Sequence, residues 1–507
     1  MQKTISSTAN PMLGIALALV AGIVCAHYVE LALVDRLWWW IGVAVLGVAV
    51  VVMDVYYHKV QGLLLFMVGV VGFLLSMFSW SAPQEKLPYD ENIDFVARAV
   101  ASSELKGRYE RCNVQLISLK DSTSGLWHKA RHGVELHIDT ALHVKVARGN
   151  AIAFRGKLRA AEGSYGQYMA RQGIVGRLYT YRAAIVDSSV TALCVMDRMA
   201  IRRADVAQKI YEIDTAHIAA TSLMSALAIG ERGQMLRQTK EEYRRMGVSH
   251  LLAISGMNIG IIFTVLNVLF GWVRLVRFGR EIFCVTVIVL LWAYALFTGM
   301  SSSIVRAVVM FSLLQIGMAS SRSVSSLNIL ASAAVLMLAL RPDYLFDIGF
   351  QLSFMAMIGI VTLYRPIASL LDVRNGIVRA LWNVAVVSCT AEVAVLPLVA
   401  YYFGQIPLMG LVSNLAVWLT VPMIIIGTLL FLVTSIHLLG VLTMWVAELQ
   451  NDMVSLLAYR KWVVVEGVEV SLPMCVAAYA VLIVLALWVI RYRARHERLS
   501  TLRAKYS

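Results

Sequence analysis

Small and polar residues interrupt a membrane-length apolar stretch at His250–Gly260, HLLAISGMNIG. Ser255, Gly256, Asn258 and Gly260 all lie within it. In hydrocarbon an unsatisfied polar group costs several kcal/mol, so such residues normally face other helices, interrupted backbone or water. Two interpretations follow: the segment is a tightly packed helix seam, or it lines a wet path through the membrane.

Charged and amide side chains recur inside later apolar stretches. Arg306 lies a few residues inside one of them, where an arginine is tolerated only if it snorkels, pairs with an acid or lines a wet cavity. Glu392 lies deeper in a later stretch and is a natural partner for Arg306, or for a Ser or Asn side chain. Helix packing or capping is the alternative role for the other polar residues. The candidate path residues are His250, Ser255, Gly256, Asn258, Gly260, Ser301, Ser302, Arg306, Asp347, Gln351, Glu392 and Asn414.

Composition indicates the class of protein. The chain has 507 residues, 59% of them hydrophobic and 15% charged, with a mean hydropathy of +0.72. A soluble fold could not bury that much apolar surface, so we predict a polytopic α-helical membrane protein. A membrane helix needs roughly 20 residues, and the apolar stretches of the chain predict about twelve such helices, some of them broken or re-entrant. We expect the first helix to be retained rather than cleaved as a signal peptide. The predicted spans are 12–33, 38–53, 62–80, 248–272, 282–299, 303–319, 327–340, 345–364, 380–403, 407–435, 437–458 and 472–490.

A charged segment interrupts the spans between residues 81 and 200. Its alternating runs, such as CNVQLISLK, HGVELHI and NAIAFRGKL, predict a small all-β domain of about five strands, the size of an oligonucleotide-binding (OB) barrel. Basic residues interleaved with aromatic ones suit a single nucleic-acid strand. Its many acids keep a structural or docking role equally open. The candidate DNA-binding residues are Lys106, Arg108, Arg111, Lys145, Arg148, Arg155, Lys157 and Arg159.

Basic loops indicate the orientation in the membrane. Arg274–Arg280, Arg365–Arg379 and the tail Arg491–Lys505 fall on one side of the predicted spans, and loops rich in Lys and Arg mark the cytoplasm. The β domain then lies on the periplasmic or extracellular side. The predicted divisions are N-terminal membrane helices 1–80, OB-like domain 81–200, amphipathic and membrane-entering helices 201–247, membrane domain 248–490 and basic cytoplasmic tail 491–507.

The six cysteines show no CxxC pair and no zinc-type spacing with histidine, so we expect no metal and no cofactor. Cys112 and Cys194 lie in or beside the outward-facing domain. An oxidising compartment would allow these two to form a disulfide.

Four segments in order resemble the ComEC family of competence DNA-uptake channels. They are LAIGERGQMLRQTKEEYRRMGVSHLLAISGMNIGI, TGMSSSIVRA, DIGFQLSFMAMIGI and LPLVAYYFGQIPLMGLVSNL. In addition, RGKLRAAEGSYGQYMARQGIVGRLY is similar to the end of the family's OB-like domain. The resemblance covers residues 90 to 435.

This resemblance implies a channel in the bacterial cytoplasmic membrane that carries one strand of DNA inward during natural transformation. It implies single-stranded DNA and membrane lipid as partners, with a DNA receptor outside and a helicase or single-strand-binding protein in the cytoplasm. Basic residues at the channel mouth would supply positive potential: Arg232, Arg237, Lys240, Arg244 and Arg245.

The chain departs from the family pattern in three places. Many members have His at the position of Asn258 and Gln at the position of Glu392. Many also end in a metallo-β-lactamase-like domain with an HxHxDH-type metal motif, and this sequence contains no such run. We therefore expect no nuclease activity, and strand degradation would belong to a separate protein. A secondary transporter is an alternative, although no inverted repeat is visible. A membrane-embedded enzyme is less favoured, because Ser255 and His250 do not share a helical face.

The predicted topology can be tested with reporter fusions. Fusions at Gly125, in the OB-like domain, and at Ser507, at the end of the tail, should report opposite sides of the membrane, because the loop charges place them so. Two reporters on the same side would show that the orientation is wrong.

Overall fold

The computed structural model describes residues 11–28, 68–74, 90–100, 104–106, 109–120, 126–130, 132–142, 146, 149–160, 174–187, 195–252, 254–320, 325–371, 374–407, 409–459 and 464–486. They belong to two compact units. One comprises Trp80–Asp205, and the other comprises Met1–Ser79 with Val206–Ser507.

The first unit is a β barrel. Its strands are β1 (Asn92–Ala99), β2 (Glu104–Lys106), β3 (Tyr109–Lys120), β4 (Trp127–Lys129), β5 (Gly133–Asp139), β6 (Ala151–Ala160) and β7 (Ile174–Asp187). Five of them close a ring in the order β1, β3, β5, β7, β6 and back to β1, with β5 and β7 parallel and the other pairs antiparallel. The short strands β2 and β4 pair with β3 outside this ring.

Alternation along the strands builds the barrel core. In β1, Ile93, Phe95, Ala97 and Ala99 are buried while the residues between them are not, as period-two side-chain direction requires. Inside the barrel the rings of Phe95 and Phe154 stack with centroids 5.6 Å apart. The predicted inserted β domain is thus confirmed, and its ring has the predicted number of strands.

The second unit is helical. Its helices are α1 (Pro11–Tyr28), α2 (Val195–Tyr211), of which the part up to Asp205 belongs to the first unit, α3 (Ile218–Ile229), α4 (Arg237–Arg245), α5 (Ser249–Leu252), α6 (Gly256–Leu269), α7 (Gly279–Thr298), α8 (Ser302–Ala319), α9 (Ser326–Leu340), α10 (Ile348–Ala368), α11 (Gly376–Phe403), α12 (Gly410–Thr434), α13 (His437–Ala458) and α14 (Leu472–Ala486). Short 3₁₀ turns occupy Gly271–Leu275 and Pro342–Phe346, and strands β8 (Gln405–Pro407) and β9 (Val464–Glu466) pair with each other.

Five of the described helices, α7, α8, α10, α11 and α12, are long and apolar enough to cross a membrane. The chain is therefore a multi-pass membrane protein with an inserted β domain. The count of about twelve spans stays a prediction: residues 38–53 and most of 62–80 lie outside the described residues. The predicted span at α13 is not among the five, and polar residues Glu448, Gln450, Asn451 and Asp452 occupy its second half.

Helix α3 is enclosed by other helices. Every residue from Ala220 to Ile229 is buried, and α3 packs against α12 and α13. With twelve residues α3 is about 18 Å long, too short to cross a hydrocarbon core of about 30 Å. The carbonyl groups at its buried C-terminal end need hydrogen-bond partners inside the protein, whereas Ile218 at its N-terminal end is 42% exposed.

Helices α10 and α11 approach each other closely at Gly359. A Cβ on Gly359 would lie 2.5 Å from Ala394 Cβ and 2.6 Å from Thr390 O. Only glycine permits this approach. At Gly256, by contrast, a Cβ would meet only Ala307 Cβ, at 4.0 Å.

Replacing Gly359 by Ala should therefore destabilise the helical unit by about 1–3 kcal/mol through overpacking. The matched control is Gly256→Ala, which adds the same methyl group to a helix without a clash and should be neutral or slightly stabilising. Thermal unfolding of the detergent-solubilised full-length protein measures both. Equal unfolding midpoints for the two variants would contradict the packing seen here.

Candidate functional site

Three polar side chains meet at the C-terminal end of α3. Asn258 Nδ2 donates to Leu227 O at 3.1 Å, and Tyr294 OH donates to Ala228 O at 2.7 Å. Ser255 Oγ in turn donates to Asn258 Oδ1 at 3.1 Å. The last carbonyls of a helix have no partner within the helix, so these bonds satisfy groups that would otherwise be buried and unpaired.

Asn258 is fully buried, so in this structure its amide holds α3. Its place in a translocation path stays a prediction. Tyr294 was not identified from the sequence, where a tyrosine inside LLWAYALFTGM was the only signal. Of the neighbouring candidates, His250 and Gly256 are exposed and Ser255 is partly buried. Gly260 is the close contact of this segment, because its Cβ would lie 3.1 Å from Phe311 Cζ.

A second polar cluster surrounds Arg306. Arg306 is 3% exposed, and neither its Nε nor its Nη1 has a hydrogen-bond partner within the described part of the chain. A Cβ on Gly349 would lie 3.9 Å from Arg306 Nη1, 3.9 Å from Ser302 Oγ and 3.1 Å from Asp347 Oδ1. The structure thus brings three predicted site residues together, with Ser301 as the N-cap of the same helix α8.

The segment that follows Asp347 is joined to the end of α11. Asp347 Oδ1 caps α10 by accepting from Phe350 N at 2.8 Å. Gln351 Nε2 donates to Leu345 O at 2.9 Å, and Gln351 Oε1 accepts from Tyr402 OH at 2.8 Å. Two of the sequence motifs, DIGFQLSF and AYYFG, therefore contact each other through Gln351 and Tyr402.

Glu392 does not pair with Arg306 in the described structure, which corrects that expectation. Its carboxylate packs against Gly410 at the start of α12 and occupies the space that a Cβ there would need. The reason is geometric, because the acid nearest to Arg306 is Asp347. Asn414 is partly buried on α12.

A polar helix precedes these motifs. In α4, Tyr243 is fully buried; its OH donates to Asn451 Oδ1 at 3.0 Å and accepts from Gln450 Nε2 at 3.0 Å. Thr420 Oγ1 extends this network by donating to Gln450 Oε1 at 2.7 Å. Of the basic residues predicted for the channel mouth, four are exposed on or beside this helix: Arg232, Arg237, Lys240 and Arg244. The fifth, Arg245, is partly buried.

The barrel carries a separate candidate site, an open cleft of about 660 Å³. Its lining residues are Asn92, Tyr109, Arg155, Gly156, Lys157, Arg159, Tyr179 and Arg182. Three of the predicted DNA-binding residues line it: Arg155, Lys157 and Arg159. Arg111 instead donates to buried Glu135, with Nε to Oε1 at 2.8 Å. Lys106 lies in β2 without a described side chain, and Arg108, Lys145 and Arg148 lie outside the described residues.

Like charges face each other across strands β6 and β7. Arg155 is opposite Arg182, and Arg159 is opposite Arg177. Directly opposed like charges destabilise an antiparallel pair. Asp94, 3.8 Å from Arg155, offsets this only weakly because both groups are well exposed. A bound polyanion would remove the repulsion.

Aromatic rings occupy the same face. The Tyr179 ring stacks on His137 with centroids 4.7 Å apart, and Tyr109 meets both rings edge-on. Arg159 Cζ lies 5.9 Å from the Tyr179 centroid. Burial lowers the pKa of His137 despite its hydrogen bond to Glu135, which favours the neutral form of the ring. The positive charge of the cleft therefore comes from its arginines and Lys157.

Sequence reasoning missed Tyr179 and Arg182, because RLYTYR faces RGKLR only once β6 and β7 pair. Cys112 is buried in the barrel wall, and Cys194 lies outside the described residues, so their disulfide stays a prediction. Among the described residues no group of three or more His, Cys, Asp or Glu could hold a metal ion.

The chain matches the family model described as Competence protein over residues 227–492. It is 27% identical over 197 residues to ComE operon protein 3 of Bacillus subtilis (strain 168). That alignment covers 38% of this chain and 24% of the relative, so the chain spans about a quarter of the relative's length. No solved structure matches the chain at a significant level.

The barrel cleft can be tested by replacing Arg182 with Gln in the full-length protein. Removing one of two opposed arginines should stabilise the barrel by about 0.2–1 kcal/mol, and it should weaken binding of a single-stranded oligonucleotide because a phosphate contact is lost. Filter binding and thermal unfolding measure the two effects. Lys129→Gln, which removes a charge from exposed β4 away from the cleft, is the control. Undiminished binding by Arg182→Gln would exclude the cleft.

Proposed function

The chain belongs to the competence protein family, and on this premise we propose that it forms a channel carrying single-stranded DNA across the bacterial cytoplasmic membrane during natural transformation. The observation that carries the proposal is the family match over residues 227–492, which includes all five apolar helices long enough to span. The function therefore belongs to the helical unit.

The chemistry of the helical unit suits such a cargo. A single DNA strand is a flexible polyanion, so its path needs water, positive potential and contacts that tolerate any base sequence. The Arg306 cluster and the exposed basic residues of α4 supply positive charge in a unit that otherwise consists largely of apolar helices. Two candidate path residues, Ser255 and Asn258, lie at the end of α3, and four others lie around the start of α10: Ser302, Arg306, Asp347 and Gln351. We assign them to the path on this ground.

The barrel would bind the strand on the outer side of the membrane. Its cleft combines four cationic side chains with two tyrosines, and stacking of a base on an aromatic ring contributes about 1–3 kcal/mol. A purely structural role would not favour opposed arginines, which cost stability. The opposed arginines therefore favour DNA binding by the barrel over the structural or docking role that its many acids left open.

The sidedness follows from the basic loops, and the partners follow from the proposed transport of DNA. We place the basic tail in the cytoplasm, where a helicase or single-strand-binding protein would take up the strand, and a DNA receptor outside. Degradation of the second strand is assigned to a separate nuclease, and this chain to transport alone. A secondary transporter of a small or amphipathic solute remains the alternative.

Deletion of the gene, followed by exposure of competent cells to labelled DNA, tests the proposal. Labelled single strands should become protected inside wild-type cells and not inside the deletion strain, while DNA bound at the cell surface stays unchanged. Complementation with the wild-type gene should restore import. Undiminished import by the deletion strain would refute the channel function.

A further inference from the structure

Arg306 is a buried cation whose charge the described structure does not neutralise by contact. A buried charge is strongly unfavourable unless it is paired and hydrogen-bonded. Its Nε and Nη1 nonetheless lack partners in the described residues, and no acid lies within ion-pair distance of it there. Buried polar atoms without partners are rare in native proteins and each needs an explanation.

The guanidinium lies beside the first turn of another helix. Its Nη1 lies 3.9 Å from the position that a Cβ on Gly349 would take, in the first turn of the 21-residue helix α10. The first N–H groups of a helix have no partner within the helix, and this end carries a partial positive charge that attracts anions. Two positive groups from different helices thus face the same point.

Ser302 Oγ, also 3.9 Å from that point, adds a hydroxyl donor. Because residue 349 is glycine, no side chain fills the space between these groups. The negative group at this place is Asp347, and its Oδ1 is already engaged by Phe350 N at 2.8 Å. The donors here suit an anion that presents several oxygens.

We infer that Arg306, Ser302 and the first turn of α10 bind a phosphodiester group of the passing strand, with Asp347 acting as the counter-charge between phosphates. This inference rests on the proposed function and adds to it a specific contact between the protein and the phosphate groups of the strand. Arg306, which lies near the Asp347 carboxylate without forming an ion pair with it here, would bind a phosphate oxygen. A strand would reach it only when α8 and α10 separate, since the side chain is enclosed here.

A static ion pair is the competing explanation, and Asp347 distinguishes the two. Asn caps helices as well as Asp does, so Asp347→Asn keeps an oxygen for Phe350 N and removes only the charge. If the two residues merely neutralise each other, this change leaves Arg306 uncompensated and should be as harmful as losing Arg306. If Asp347 competes with phosphate, removing its charge should tighten strand binding.

The test compares Arg306→Gln, Asp347→Asn and the double variant, measured as oligonucleotide binding by the full-length protein at several salt concentrations and as DNA import in cells. We expect Arg306→Gln to bind about tenfold more weakly, the loss of one charged hydrogen bond, with a salt slope shallower by about 0.7. Asp347→Asn should bind severalfold more tightly, and the double variant should import no better than Arg306→Gln.

Ser302→Ala gives an independent measurement if Arg306→Gln does not reach the membrane. It removes one donor from the site and should weaken binding severalfold, whereas Ser303→Ala, the matched control on the neighbouring residue, should not. Restored import in the double variant, or unchanged binding by both Arg306→Gln and Ser302→Ala, would overturn the phosphate site. A wild-type protein that imports no DNA would instead refute the proposed function.

Discussion

The helical unit depends on how the backbone carbonyls at the buried C-terminal end of helix α3 are hydrogen-bonded. Leu227, Ala228 and Ile229 are buried, so the carbonyl groups at this end of the helix need partners inside the protein. Asn258 and Tyr294 donate hydrogen bonds to carbonyls at this end. Gly230 ends the helix in the left-handed conformation, with φ of 76°. A Cβ on Gly230 would also lie 2.9 Å from Ile254 Cδ1, so glycine is needed for both backbone and space.

The opposite end is held by ionisable groups. His217 precedes α3, with its Nδ1 2.9 Å from Asp214 Oδ2 and its Nε2 3.4 Å from Glu448 Oε1 on α13. Buried Tyr243 attaches α4 to the same helix α13 through Gln450 and Asn451. The polar half of α13 is thus a docking surface for the segments before and after α3. This explains why a helix of spanning length carries amide and acidic residues.

The barrel shows a different constraint, because arginines placed opposite each other on β6 and β7 lower its stability. Its core is an ordinary alternating β core, yet its β6 and β7 face opposes arginine to arginine around Tyr179. Natural sequences depart from such local rules mainly where a ligand makes up the loss. The net charge of the domain hides this, because only the folded sheet brings the cations of β6 and β7 together on one face.

The sequence by itself determined the class of each unit and the positions of unusual residues. Hydropathy predicted the membrane helices, period-two alternation predicted the strands of the β domain, and a charge inside an apolar stretch identified Arg306, because each of these signals is local. The tertiary structure alone decided which residues meet. Asn258 reaches Leu227, Gln351 reaches Tyr402, and Asp347 rather than Glu392 lies beside Arg306. Such partners are set by the offset and angle at which helices and strands pack, and residues far apart in the chain carry no local trace of that geometry.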